Sequence, residues 1–327
     1  MLIDTVELTL SHVDLGELTE FAAMTLFGNA ISHRIVLGTD VTVPEITDSD
    51  GNTLYPSYFM THLKVPHSAL LSSYKLWDRV AVGVNVRVFG GMILESSYLL
   101  GRPDEIPQDL DLWNTDAFPS MTGGTLFVVE ESRGGEPKPS VPRGGLIAEM
   151  PKLAKPPASV AEFATVQTRG SLDPGFKGKL VSQAPIRHAV ATGRDLAPGH
   201  ALMFASFGKI LDHVERTLLA DLVFPPFPTD LINHLSLLER QTFYLNNCYG
   251  DQVLLANVRG RLTPSDIVSR SAGSVPAATL TMVVELYEQT SRKLLVSSKA
   301  SKLFALPSSR TTLLRDMERL LFLHGED

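Results

Sequence analysis

Two distant stretches of the chain share one frame: LFGNAISH, Leu26 to His33, and SFGKILDH, Ser206 to His213. Phe27 matches Phe207, Gly28 matches Gly208 and His33 matches His213, while Ala30 and Ile31 match Ile210 and Leu211. Each lies in an apolar pattern of helical period, the first beginning near Leu15 and the second running from about Leu202 to Leu222. A second echo follows each. LWDRVAVGVNVRV (Leu76 to Val88) resembles YGDQVLLANVRGRL (Tyr249 to Leu262), and in both an aspartate opens a strand. An internal repeat of this kind predicts one architecture built twice.

The strands define that architecture. Val80, Val82, Val84, Val86 and Val88 fall on one face of their strand, with Arg79, Asn85 and Arg87 on the other, the pattern of a half-buried antiparallel strand. Gly90 and Gly91 turn it into MILESSYLL, and TGGTLFVVEESR supplies a further strand. In the second half Leu280, Met282, Val284 and Leu286 alternate, and YEQTSRK makes a hairpin turn. Each half thus reads as one apolar helix followed by long antiparallel strands. A sheet with one apolar face needs a cover, and a helix wrapped by such a sheet is buried on most sides. The expected fold is α+β: a double hot dog, two helix-wrapped antiparallel sheets in one chain. The expected domains are residues 1–145 and 179–327. Residues 146–178 are expected to be an irregular linker, because the Pro/Gly-rich run from Ser132 to Ser159 has no regular period.

Composition narrows the function. The chain has 327 residues, 44% hydrophobic and 20% charged, with a formal net charge of -7, which argues against nucleic acid as a partner. A single cysteine, Cys248, excludes an intramolecular disulfide framework and a thiolate metal cluster. The opening MLIDTVELTL lacks the basic start and apolar core of a signal peptide, and no window reaches the ~18 apolar residues of a membrane span. The expectation is a cytoplasmic protein with no membrane contact, for which a homodimer is an option.

Dinucleotide and Walker fingerprints are absent, and the nine histidines show no H-E-x-x-H spacing, so no metal is expected. DSDGN (Asp48 to Asn52) reads as a tight turn rather than a calcium loop. His33 and His213 occupy matching helix positions, and with Asp212 and Glu215 flanking the second these are candidate acid/base groups, though the same positions suit residues that cap polar gaps around the helix or face solvent. Asn246 and Asn247 precede a strand, where amides can stabilise an oxyanion or simply make a turn. Ser206 stands at the start of the second helix, where it could cap the helix or help its N–H groups hold a thioester carbonyl.

The ordered set LGTDV (Leu37 to Val41), TLYPSYF (Thr53 to Phe59), WDRVAV (Trp77 to Val82), LMFASF (Leu202 to Phe207) with Asp212 downstream, and QTFYLNNCYGD (Gln241 to Asp251) resembles the bifunctional acyltransferase/decarboxylase family of leinamycin biosynthesis, from polyketide gene clusters. The resemblance spans nearly the whole chain. It implies transfer of a malonyl or methylmalonyl group from coenzyme A to a tyrosine, then to an acyl carrier protein, with decarboxylation. It places the reactive tyrosine at Tyr55, leaves Tyr58 to pack, and makes Ser206, Asn246 and Asn247 the donors to the developing enolate. Acyl-CoA would be a substrate, with no permanently bound cofactor, and Cys248 a bystander. The family pattern does not call for a histidine at 213. Two alternatives stand beside it: a hot dog acyl-CoA or acyl-carrier thioesterase or dehydratase using His213 or Asp212, and a non-catalytic carrier-binding protein. Arg34, Arg187, Arg194 and Lys209 are the basic residues that could draw in an acidic partner.

Overall fold

The computed structural model describes residues 2–14, 17–39, 46–113, 116–129, 138–143, 147, 150–182, 185–190, 203–250, 252–267 and 274–325. In chain order, β1 (Leu2–Glu7), the short pair β2 (Val13–Asp14) and β3 (Glu17–Leu18), and helix α1 (Glu20–Thr39) lead into β4 (Leu54–Lys64), β5 (Arg79–Phe89), β6 (Ile93–Gly101) and β7 (Ser120–Val129). Then come β8 (Lys138–Pro139), α2 (Ala158–Arg169), β9 (Leu180–Val181), β10 (Ile186–Ala189), α3 (Phe204–Thr217) and α4 (Thr229–Ile232). The chain closes with β11 (Leu235–Tyr244), β12 (Val253–Pro264), β13 (Ser274–Glu288), β14 (Leu294–Pro307) and α5 (Thr311–His324).

The repeat seen in the sequence is a repeat in space. The strands of the first half lie in the order β1-β5-β6-β7-β4, and those of the second in the order β10-β12-β13-β14-β11. Each half is therefore strand, helix, then four strands with the same spatial permutation. The halves join where β4 pairs antiparallel with β11, Met60–Lys64 against Glu239–Phe243, giving one continuous 12-stranded sheet. Equivalent strands meeting antiparallel is what an approximate two-fold axis through that seam requires. The fold is a double hot dog.

Helices α1 and α3 lie in the concave side of the sheet. Phe27, Ile31 and Ile35 of α1 pack against Val80, Val82, Val84, Val86 and Val88 of β5 in one core, and Phe207, Ile210, Leu211 and Val214 of α3 pack in a second. The alternating valines of β5 are all inward and buried. The matched glycines have a shared reason. At Gly28 an added Cβ would sit 2.9 Å from the Phe204 ring, and at Gly208 it would sit 3.0 Å from Met24 Sδ. These positions are where the two helices cross, running antiparallel, and the missing side chains set how close they come.

Three expectations need correction. The first helix starts at Glu20, not near Leu15, because Val13–Asp14 pairs with Glu17–Leu18 and the Thr19 hydroxyl then accepts the Ala22 N–H at 3.1 Å, capping the helix. Ser206 does not cap the second helix: the cap position is Met203, and Ser206 is fully buried in the first turn. The run expected to be an irregular linker is built into the fold. Lys138–Pro139 pairs with β7, and Ile147 and Met150 are buried in the first core. Within 146–178, α2 lays Val160, Phe163 and Val166 over Phe59, Met60 and Phe243 on the convex side of the seam. Asp48 to Asn52 forms the turn read from the sequence, with Asp48 Oδ1 accepting the N–H groups of Asp50 and Asn52 at 3.0 and 2.9 Å. Among the described residues no helix is long and apolar enough to cross a membrane, and no cluster of His, Cys, Asp and Glu has metal-binding geometry.

The crossing predicts a double-mutant result. Gly28→Val should destabilise the protein by about 1–3 kcal/mol through overpacking, and Phe204→Ala in the same chain should recover part of that loss. Chemical denaturation of the four proteins measures the coupling.

Candidate active site

The seam strands each carry one irregularity, and these decide what faces the helices. β11 slips its register between Leu237 and Glu239, and β4 between Tyr58 and Met60. An extra residue flips every side chain beyond it to the other face. In β11 the slip turns Arg240, Thr242 and Tyr244 inward, while Phe243 packs outward under α2.

Arg240 is 2% exposed and spans both helices. Its Nε lies 2.6 Å from Glu20 Oε1 in α1, and its two terminal nitrogens donate to Glu215 of α3 at 2.7 and 2.9 Å. Lys302, inward on β14, lies 2.6 Å from Glu215 Oε2 and 2.5 Å from Asp212 Oδ1. Arg216 closes the chain, donating to Asp212 Oδ2 at 2.7 Å. Three cations thus hold three carboxylates beneath the start of α1.

Burial and charge act against one another here. Burial alone would raise Asp212, but Lys302 and Arg216 outweigh it and hold the carboxyl well below the usual range. Burial likewise opposes ionisation of Glu215, and Arg240 with Lys302 overcomes it, so Glu215 is lowered. At Glu20 burial prevails over the attraction of Arg240 and Lys302, and its carboxyl is raised. Among the three carboxylates Glu20 is the one whose proton affinity burial raises, the direction that acid/base work calls for.

The cluster is reached through a cleft of about 580 Å3 between the start of α1, α3 and the start of β11. Glu20, Lys209, Asp212, His213, Arg216 and Lys302 line it together with Leu18, Phe21, Leu235 and Leu237. The α1 N-terminus, with its surplus of N–H donors and its positive end, borders the same space.

The sequence candidates divide between two places. Asp212 and His213 both border this cleft. Asp212 is a fixed anion rather than a proton carrier, because its two cations keep it ionised. His213 is exposed and lies edge-on to His188 of β10, ring centroids 5.7 Å apart; its counterpart His33 meets Asp4 of β1 at 2.8 Å. The matched histidines therefore both rest against the edge strand of their own half.

Asn246 and Asn247 line a second, smaller notch of about 260 Å3, located where β4 and β11 diverge and walled on one side by Phe163 and Gln167 of α2. Asn246 spends its amide N–H on the Leu294 carbonyl at 2.6 Å, the turn role foreseen for it. Tyr55 is half-buried in β4 opposite Val128, on the convex face; Leu54 and Tyr58, which alternate with it, point to the core. Tyr55 does not line the notch, although its neighbours Ser57 and Val128 do. Tyr58 packs as expected, with its ring 4.2 Å from Phe204 and its hydroxyl 2.8 Å from that of Tyr98. Burial pushes Tyr58, Tyr98 and Tyr244 above the usual phenol range, so none is a ready nucleophile. Ser206 Oγ is buried with no hydrogen-bond partner among the described residues, and Ser206 lines neither space. Burial raises Cys248 to about 12, which suits a bystander. Arg194, Asp40, Val41, Leu202 and Asp251 lie outside the described residues.

Glu20, Arg240 and Lys302 were not singled out from sequence, whereas Glu215 was, as a carboxylate flanking His213. Lys302 had a visible signal, because it interrupts the inward series Ala300, Phe304 and Leu306 of β14. Arg240 had none, since simple alternation from Leu235 and Leu237 puts it outside.

No family model matches the sequence, and comparison with curated proteins gives no match. Solved structures do match in fold. An acyl-ACP thioesterase from Bacteroides thetaiotaomicron aligns at a TM-score of 0.56 and 11% identity, over 92% of this chain and 96% of that one. A candidate oleoyl thioesterase from Lactobacillus plantarum aligns at 0.61 and 11%, over 94% and 96%. The 12:0-ACP thioesterase of Umbellularia californica aligns at 0.53 and 14%, over 92% and 93%.

The opposite shifts of Glu215 and Glu20 predict different pH behaviour. Glu215, lowered in the fold, contributes stability above the ordinary glutamate range and loses it as pH falls. Glu20, raised, contributes the reverse. Glu215→Gln should therefore destabilise by about 3–5 kcal/mol at neutral pH, as expected on breaking a buried pair, with the deficit shrinking in acid. Glu20→Gln should cost less than Glu215→Gln at pH 7, because burial already opposes ionisation of Glu20, and its deficit should grow rather than shrink in acid. Denaturation across pH separates the two.

Proposed function

We propose that the protein is an acyl-thioester hydrolase acting on acyl groups carried by coenzyme A or by an acyl carrier protein. The observation that carries the reading is Glu20: a nearly enclosed carboxyl, raised by burial, at the start of a helix and on the floor of an open cleft. The fold shared with acyl-ACP thioesterases supports the same class of substrate.

The chemistry follows from these groups. The thioester carbonyl sits against the N–H groups at the start of α1, which favour the oxygen as it gains charge. Ionised Glu20 takes a proton from water while the water oxygen bonds to the carbonyl carbon. The tetrahedral intermediate collapses, the carbon–sulfur bond breaks, and the thiolate recovers the proton from Glu20. Arg240, pinned between Glu20 and Glu215, fixes the orientation of the carboxyl.

Acyl transfer with decarboxylation through Tyr55 is the second reading. One observation favours it: Ser57 and Val128, the neighbours of Tyr55 along and across the sheet, border the notch that Asn247 also lines. Its weakness is that Tyr55 stands on the face turned away from both helices.

The two readings separate in one experiment. Acyl-CoA is incubated with the protein, with and without a carrier protein, and free CoA, free acid and carrier mass are followed. Hydrolysis should be lowered about a hundredfold or more in Glu20→Gln and unchanged in Tyr55→Phe. Carrier acylation lost only in Tyr55→Phe would support the second reading and refute the first.

A further inference from the structure

We infer that the acyl group this cleft accepts is short and carries a hydrogen-bonding substituent, and that long hydrocarbon chains are excluded. The inference rests on the hydrolase reading and names its substrate class.

The argument starts from what lies behind the reacting position. With the thioester carbonyl at the start of α1, we take the acyl chain to run inward, past Glu20. The next groups are Arg240, Glu215 and Lys302, with side chains 2%, 0% and 3% exposed. They lie between the two helices and the sheet, and Arg240 is among the largest of the fully buried side chains of the described residues. A hydrocarbon tail gains free energy by replacing water next to apolar surface. Here it would meet paired charges, and to pass it would have to break pairs that are already desolvated, leaving buried charge uncompensated. The apolar residues of the cleft, Leu18, Leu235 and Leu237 among them, are themselves packed into the two cores.

Farther along the crossing the space is filled as well. The Phe204 ring occupies the gap that Gly28 leaves, and the Tyr58 ring lies tilted against it. A hydroxyl, keto or carboxyl group on a short acyl chain would instead find donors at hand. Lys209 on the cleft wall has no ion pair among the described residues, and Arg216 spends its Nε on Asp212 and one terminal nitrogen on the Ile232 carbonyl, leaving its second terminal nitrogen for another acceptor.

The test is a chain series with the intact protein: acetyl-, hydroxybutyryl-, succinyl-, hexanoyl-, lauroyl- and oleoyl-CoA, with kcat/KM measured for each. The expected result is a preference for hydroxybutyryl- or succinyl-CoA of at least tenfold over hexanoyl-CoA and at least a hundredfold over lauroyl- and oleoyl-CoA. Lauroyl- or oleoyl-CoA hydrolysed as well as the short polar esters would overturn the inference while leaving the hydrolase reading intact. If no ester is hydrolysed, the hydrolase reading fails and binding of the same series by calorimetry decides the specificity. Tighter binding of the short polar members sustains it, and tighter binding of the long chains overturns it.

Discussion

Arg240 holds this molecule's central arrangement together. It projects from a strand of the second half, pairs with Glu20 of the first helix and Glu215 of the second, and does so almost entirely out of water. A guanidinium in that position is tolerable only if its donors are matched, and the bidentate contact with Glu215 matches two of them. The pairing constrains both helices to a common centre. It also loads one end of the helix crossing with charge while the other end, around Phe204 and Tyr58, is aromatic.

That asymmetry breaks the near-symmetry of the duplicated fold. The two halves share topology, strand order and the glycines of the helix crossing, yet the buried charge lies at one end of that crossing. The cleft at the start of α1 is lined by the charge network, while the smaller notch beside the end of β11 is bounded by Tyr58 and Tyr244, whose hydroxyls are already engaged. A duplicated scaffold offers two positions for chemistry, and in this chain the charge network distinguishes one of them.

Much of the fold was legible because it obeys simple periods. The alternating valines of β5 announced a one-sided strand, and the paired Phe-Gly frames announced two equivalent helices. The glycines carry that signal for a physical reason, since both stand where one helix presses on the other. The site was less legible. The register slips in β4 and β11 invert the inward and outward sets, so Arg240 reads as a surface residue until the strand pairing is known. Glu20 reads as an ordinary first-turn carboxylate, because its raised proton affinity comes from burial by segments remote in sequence. The matched histidines pointed the other way: they mark equivalent positions against the edge strands rather than shared chemistry. The run from Ser132 to Ser159 misled because Pro and Gly report local irregularity and are silent about long-range packing, which buries Ile147 and Met150.

The account stands on the thioester reacting at the charged end of the helix crossing. A crystal structure of the protein soaked with a non-hydrolysable thioether analogue of acyl-CoA tests this most directly. The account predicts the analogue's sulfur beside Glu20, with the pantetheine arm leaving through the wide cleft. Sulfur density in the smaller notch, beside Tyr58 and Asn247, would contradict it.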